Sequence, residues 1–296
     1  MRTYLKEIVI SIIAILVMTV AIASFFKAMK TEKASERDNI YALVPSDVNA
    51  MLVINRPGVF SRMVLEKQSF FDLFASRIPE MFLLLIRENQ NLQSMILSFH
   101  PQGVVCYMPA SSKLINSIEK GLQRVFNYSP IVQTQDGIDY YYYPVSGNAF
   151  FGYYVHDGIW VGSLSKKLLE ETAIQTSEKQ TLMPPEMRKL VRNFDINAPL
   201  NIIFPTEDMN LQLEQERTIV WRIEDRWLGA DLFVSEGDLC GYGFLPYESN
   251  ITSSMYKAMG DTIARRINNL YPLVTLSFQI DKEEDFVYYT GCTPIP

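Results

Sequence analysis

Hydrophobic and polar positions alternate in short blocks along most of this chain, and one order of blocks recurs. A strand-like run meets a polar turn, a second strand-like run follows, and an amphipathic helix comes next. In the first copy, residues 94–100 and 104–108 flank the turn Pro101-Gln102-Gly103. Ser111 and Ser112 there offer caps for a helix with Leu114, Ile115, Ile118, Leu122 and Val125 on one face. In the second copy, residues 149–155 and 159–161 flank His156-Asp157-Gly158, and Ser165 precedes a helix bearing Leu168, Leu169, Thr172 and Ala173. In the third, residues 228–234 and 239–244 flank Ser235-Glu236-Gly237-Asp238. Its helix is predicted over 252–270, with Met255, Ala258, Met259, Ile263 and Ile267 inward. A fourth hairpin, 274–280 with 285–290, ends the pattern without a helix, and Asp136-Gly137 joins two further strands at 131–135 and 138–143. Glycine in the first three turns supplies the positive φ that tight hairpins need.

Each unit has a sheet face and a helix stripe that must be buried. The predicted fold is therefore α+β: an antiparallel sheet built from hairpin–helix units with helices on one face, as one continuous sheet or as two lobes. A boundary between lobes 40–176 and 177–296 falls where Ser177 to Gln180 and Pro184-Pro185 interrupt the pattern. Met81 to Ile86, after Pro79, reads as a helix packed on two sides, with a partner-binding or membrane-touching patch as the alternative.

The chain opens differently. Residues 8–26 are 19 in a row without charge, enough for a transmembrane helix of roughly 28 Å. A retained anchor over residues 1–26 is expected rather than a signal peptide cut after Ala21-Ile22-Ala23, because the apolar run continues through Phe25 and Phe26. Residues 27–39 are a charged stalk. Counting Lys and Arg alone, four downstream against two upstream favour a cytoplasmic body. A short basic tail before an apolar run is nevertheless the usual export signal. The expectation is a single-pass inner-membrane protein with a periplasmic body.

Composition narrows the function. With 27 Lys+Arg against 33 Asp+Glu the net charge is −6, which argues against nucleic acid as a partner. Two His and three Cys without Cys-x-x-Cys spacing argue against a metal centre, and no Gly-rich phosphate loop suggests a cofactor. His100 and His156 read as exposed turn residues. Gly162-Ser163-Leu164-Ser165 lacks the second glycine of a nucleophile elbow, so no catalytic residue is assigned. Cys106, Cys240 and Cys292 fall in or just after second hairpin strands and read as small buried hydrophobes, with one bridged pair as the alternative for an exported body. Glu207-Asp208, Glu224-Asp225 and the acids of 281–285 read as solvated turns. Aromatics are plentiful, and a run such as Tyr140 to Tyr143 sends rings to both sides of a sheet. Cross-strand packing is their ordinary use. Tyr140, Tyr142, Trp160, Trp221 and Trp227 are the candidates for binding a ligand or partner.

Three segments carry a family resemblance. They are Tyr41 to Arg56, reading YALVPSDVNAMLVINR; Tyr153 to Ser163, running into Leu168-Leu169-Glu170; and Trp227 to Val234 with Gly237 to Phe244. Together they resemble a group of uncharacterised, N-terminally anchored envelope proteins of Bacteroides-type bacteria. That resemblance implies a body exposed on the outer side of the inner membrane, and no activity or site residue. The expected function is non-enzymatic: macromolecular interaction, or envelope assembly and maintenance, with a protein partner. The alternatives are a periplasmic small-ligand or glycan binder, and a hydrolase with paired carboxylates.

Overall fold

The computed structural model describes residues 18–19, 24, 40–65, 77–89, 92–145, 150–178, 183–205, 209–213, 217–221, 227–235, 238–247, 251–270, 279–282 and 286–294. Most of the expected anchor and the whole stalk at 27–39 lie outside them, as do Glu207-Asp208 and Glu224-Asp225. No helix among the described residues is long and apolar enough to cross a membrane.

The chain begins with β1 (Ala50–Ile54), α1 (Pro57–Leu65) and α2 (Glu80–Glu88), then β2 (Met95–His100), β3 (Gly103–Pro109) and α3 (Ser112–Phe126). There follow β4 (Ile131–Gln135), β5 (Ile138–Pro144), β6 (Phe150–His156), β7 (Ile159–Ser163), α4 (Lys166–Glu178) and α5 (Pro185–Asn193). The last part holds β8 (Leu200–Pro205), β9 (Met209–Leu213), β10 (Arg217–Trp221), β11 (Trp227–Ser235), β12 (Asp238–Pro246), α6 (Ser253–Leu270), β13 (Gln279–Lys282) and β14 (Phe286–Pro294). The three predicted hairpin–helix units are β2-β3-α3, β6-β7-α4 and β11-β12-α6. Asp136 and Gly137, at φ 53° and 79°, form the left-handed pair that closes β4 on β5, and Asp157-Gly158 repeats it at 48° and 75°.

Among the described residues, twelve strands form one antiparallel open sheet in the order β13-β14-β12-β11-β8-β1-β2-β3-β7-β6-β5-β4, and β9 pairs with β10 apart from it. The sheet runs unbroken across the proposed lobe boundary, because β1 pairs with β2 on one side (Leu52↔Leu97) and β8 on the other (Leu52↔Ile202).

The helices lie on both faces, not on one as expected. Ile118 and Leu122 of α3 and Phe82 and Leu85 of α2 pack with Leu52, Leu97, Cys106 and Trp160. Leu168, Leu169 and Ala173 of α4 and Met187 and Leu190 of α5 pack with the alternate residues Val53, Ile96, Tyr107 and Tyr154. Tyr256 and Met259 of α6 cover Leu228, Ala230 and Leu245, and Leu228 shares its strand face with Leu232 of the α3 side. The physical reason is visible in the central strands. Met51 to Ile54, Met95 to Leu97 and Val105 to Met108 are unbroken apolar runs, buried at every residue, and such strands need cover on both sides.

The cysteine reading is corrected too. Cys240 of β12 stands opposite Cys292 of β14, and the two are joined in a disulfide, while Cys106 stays a buried free thiol.

Candidate functional site

Ser98 and His100 alternate on β2, so both point to the α4 face, where Tyr107 of neighbouring β3 joins them. Asp47, from the turn before β1, completes a line of polar groups. His100 Nδ1 donates to Asp47 Oδ1 at 2.7 Å, Ser98 Oγ lies 2.8 Å from Nε2, and the Tyr107 hydroxyl lies 3.3 Å from Ser98 Oγ. Carboxylate, imidazole and hydroxyl thus stand in the order of a hydrolase relay. The nucleophile position is closed, however. Ser98 is 0% exposed, and burial lowers the pKa of His100 against the pull of Asp47 and Glu171, which favours a neutral ring. In this setting the line of bonds ties the turn at Asp47 to the sheet. His100 is therefore a buried residue, not the exposed turn histidine expected. His156, at the end of β6, keeps a 3.4 Å contact with Asp157 and is half-buried.

A second polar line crosses the middle of the sheet on the same face. The Asn55 amide donates to Ala198 O at 2.8 Å and Asn201 Oδ1 at 2.5 Å, and Asn201 Nδ2 donates to Asp231 Oδ1 at 2.6 Å. The Asp195 backbone N–H reaches Asp231 Oδ2 at 3.0 Å. Burial raises Asp231 to about 6, although both of these donors favour its charged form. Every oxygen of this carboxylate is engaged, so it locks β1, β8 and β11 together rather than facing a substrate.

An open cleft of about 750 Å³ lies between the end of α2, the start of α3 and the β6–β7 turn. Arg87, Glu88, Lys113 and Asp157 line it, two cations with two anions. Its innermost polar side chain is already used: Asn89 donates to Leu85 O at 2.9 Å and accepts from the Ser117 hydroxyl at 2.8 Å. Among the described residues no group of three or more His, Cys, Asp or Glu is placed to hold a metal ion.

Aromatic residues pack at both ends of the sheet: Phe244 meets Phe194 and Phe286 near β12 and β14, and a larger set lies toward β4. On the α3 face Phe126 stacks on Tyr143 at 4.4 Å, Tyr141 on Tyr153 at 4.8 Å, and Tyr153 on Trp160 at 5.6 Å. The indole of Trp160 lies over Gly162, where a Cβ would collide with it. On the α4 face Tyr140 packs on Tyr142 at 6.0 Å and on Tyr154 at 5.7 Å, with Lys166 Nζ 5.4 Å from the Tyr142 ring. Burial pushes the Tyr142 hydroxyl up to about 12. Rings on both faces stiffen β5 and β6.

Of the five binding candidates, Tyr140, Tyr142 and Trp160 are buried in this packing and do not line the cleft. Trp227 is partly buried at the start of β11, and Trp221 ends β10 in the separate two-stranded sheet. The structure brings Tyr140 and Tyr142 together, and it leaves the two later tryptophans elsewhere.

Outside the ring-braced strands comes β4, and its character changes. All five residues of Ile131-Val132-Gln133-Thr134-Gln135 are exposed, none is charged, and no further strand pairs with its outer edge among the described residues. Five of the exposed large apolar side chains lie around this edge, on both of its faces: Val125 and Tyr128 at the end of α3, Ile131 and Val132 at 53% each, and Val145 beyond β5. The Tyr128 hydroxyl bonds to Pro144 O and fixes this corner.

These observations define an α+β protein with one open antiparallel sheet. No protein-family model matches the sequence, and no curated protein matches it either. Among solved structures it is similar to crystal forms III and I of TP0453, each at 10% identity and TM-score 0.46. The match covers 86% of this chain and 93% and 92% of those chains.

Proposed function

We propose that this chain is a non-enzymatic, single-pass envelope protein whose periplasmic body acts by contact with another macromolecule. The observation that carries the reading is the contrast between the interior and the β4 edge. The His100 and Ser98 side chains of the relay are buried, with only Asp47 reaching solvent, and the Asp231 carboxylate is hydrogen-bonded at both oxygens, whereas five of the exposed large apolar side chains lie at or beside one uncharged strand. Apolar side chains exposed around an uncharged edge strand suit contact with another chain. The Cys240–Cys292 disulfide supports a body outside the cytoplasm, since such bonds persist in oxidising compartments. The apolar run of residues 8–26 supports the tether.

The test places a photoreactive amino acid at Val132 of the full chain in native membranes. A covalent protein adduct is the expected outcome. Lipid adducts alone, or none at all, would remove the contact reading. A C-terminal reporter active only outside the cytoplasm checks the orientation, and activity inside would reverse it.

A further inference from the structure

We infer that the outer edge of β4 pairs with β4 of a second copy of this chain, in antiparallel register about Gln133, joining two sheets into one. The inference deepens the contact reading above by naming its occupant.

An edge strand presents a row of unpaired N–H and C=O groups, and the partner that satisfies such a row is another extended strand. Proteins that keep an edge solitary put charge, proline or a bulge into it; β4 carries none of these over Ile131 to Gln135, and its five residues pair with β5 in unbroken register from Ile131↔Tyr142 to Gln135↔Ile138. The strand is also held ready. The Asp136-Gly137 turn fixes one end, and β5 behind it is clamped by stacked rings on both faces. Little further order is lost when a partner docks.

The chemistry of the five residues favours an identical partner over a foreign one. Strands that select a different chain commonly use charges for discrimination, and β4 offers no charge to read. A charge at the central position would meet its own copy across the two-fold axis, and Gln133 carries none. Centring the pair on Gln133 uses all five residues: Ile131 faces the partner's Gln135, Val132 faces the partner's Thr134, and the two Gln133 side chains face each other. A primary amide carries both donor and acceptor, so it is complementary to itself. Val132 and Thr134 share the α3 face with Tyr141 and Asp139, so the β-branched pairs across the seam lie on the side where Val125 is exposed.

The register gives a test in the full chain in its membrane. Cys240 and Cys292 are bonded to each other and Cys106 is buried, so a cysteine introduced at 133 supplies a single accessible thiol. With copper–phenanthroline as oxidant, Gln133→Cys is expected to give a disulfide-linked species of twice the chain's mass, at least tenfold more than Gln135→Cys, which faces the partner's Ile131. Combining Gln133→Cys with Val132→Lys, which sets a cation into the seam, is expected to abolish the product while the near-ultraviolet dichroism of the fold is unchanged. Equal crosslinking at 133 and 135, or none at either, would overturn the pairing. An adduct from the Val132 photoprobe to a different protein, with no dimer, would overturn the self-pairing and leave the contact reading standing.

Discussion

Both ends of the sheet carry packed rings, but their outermost strands and crosslinking differ. At one end β13 is four residues long, contains Asp281 and Lys282, and hangs on β14, which is bonded covalently to β12 through Cys240–Cys292. At the other end β4 is uncharged and exposed, and what holds its neighbours is ring stacking: Phe126 on Tyr143, Tyr141 on Tyr153, Tyr153 on Trp160. A short charged edge protected by a nearby crosslink discourages further pairing. A stiff uncharged edge without such protection is suited to it. One sheet thus carries a charged, crosslinked edge and an uncharged, uncrosslinked one.

Breaking the crosslink should have the largest effect. The disulfide closes a separation of 52 residues, and the chain-entropy relation puts its contribution at about 4 kcal/mol. Replacing both Cys240 and Cys292 by Ser should lower the urea midpoint accordingly. Hydrogen exchange should rise in β12 and β14 and stay unchanged in β5 and β6; equal loosening at both ends would show that the ends are not separately braced.

The middle of the sheet should answer to pH. Asp231 binds its proton more tightly folded, about 6 against 3.8, so the folded state holds more protons than the unfolded one across that window. Its contribution therefore falls as pH rises from about 4 to about 6, by on the order of 3 kcal/mol. His100 works in the opposite sense. Its folded pKa lies below 6.5, so its contribution is lost as pH falls beneath that value, with Asp47 and Glu171 as the charges facing it. Asp231→Asn should leave only the histidine slope in a stability-versus-pH series, and persistence of both slopes would detach the effect from this carboxylate.

A smaller loss is expected at the β4 end. Gly162→Ala sets a methyl where the Trp160 indole lies, and forcing that ring aside should cost about 1–3 kcal/mol in chemical unfolding. The near-ultraviolet signal of Trp160 should change with it. Smallest of all should be Val132→Lys, an exposed substitution expected to move monomer stability by under about 0.5 kcal/mol. Its effect belongs to assembly. A loss of several kcal/mol there would mean that β4 is needed for the fold rather than for contact.

The hairpin–helix units were legible because their turns carry Gly and their helices keep a single apolar stripe, as in Ile118 and Leu122. Strand order was not. Cys240 and Cys292 become neighbours only because β14 returns beside β12, and nothing local to either cysteine announces that. Helices on both faces were legible in hindsight from the unbroken run Met51 to Ile54, which alternation alone does not produce. Ser98 and His100, two apart on a strand, could have been placed on one face from sequence; Asp47, 51 positions before Ser98, could not. The edge position of β4 was hidden for the same reason as the disulfide: Ile131 to Gln135 reads as a strand whether it lies inside a sheet or at its border.

Hydrogen exchange at β4 itself tests the pairing most directly, with the full chain packed densely in lipid bilayers. In a solitary edge strand, alternate amides of residues 131–135 bond to β5 and exchange slowly, while the others face solvent and exchange fast. Pairing between two copies predicts slow exchange at all of them, and fast alternate amides once Val132→Lys is introduced. Fast alternate amides in the unaltered chain at the same density would contradict it.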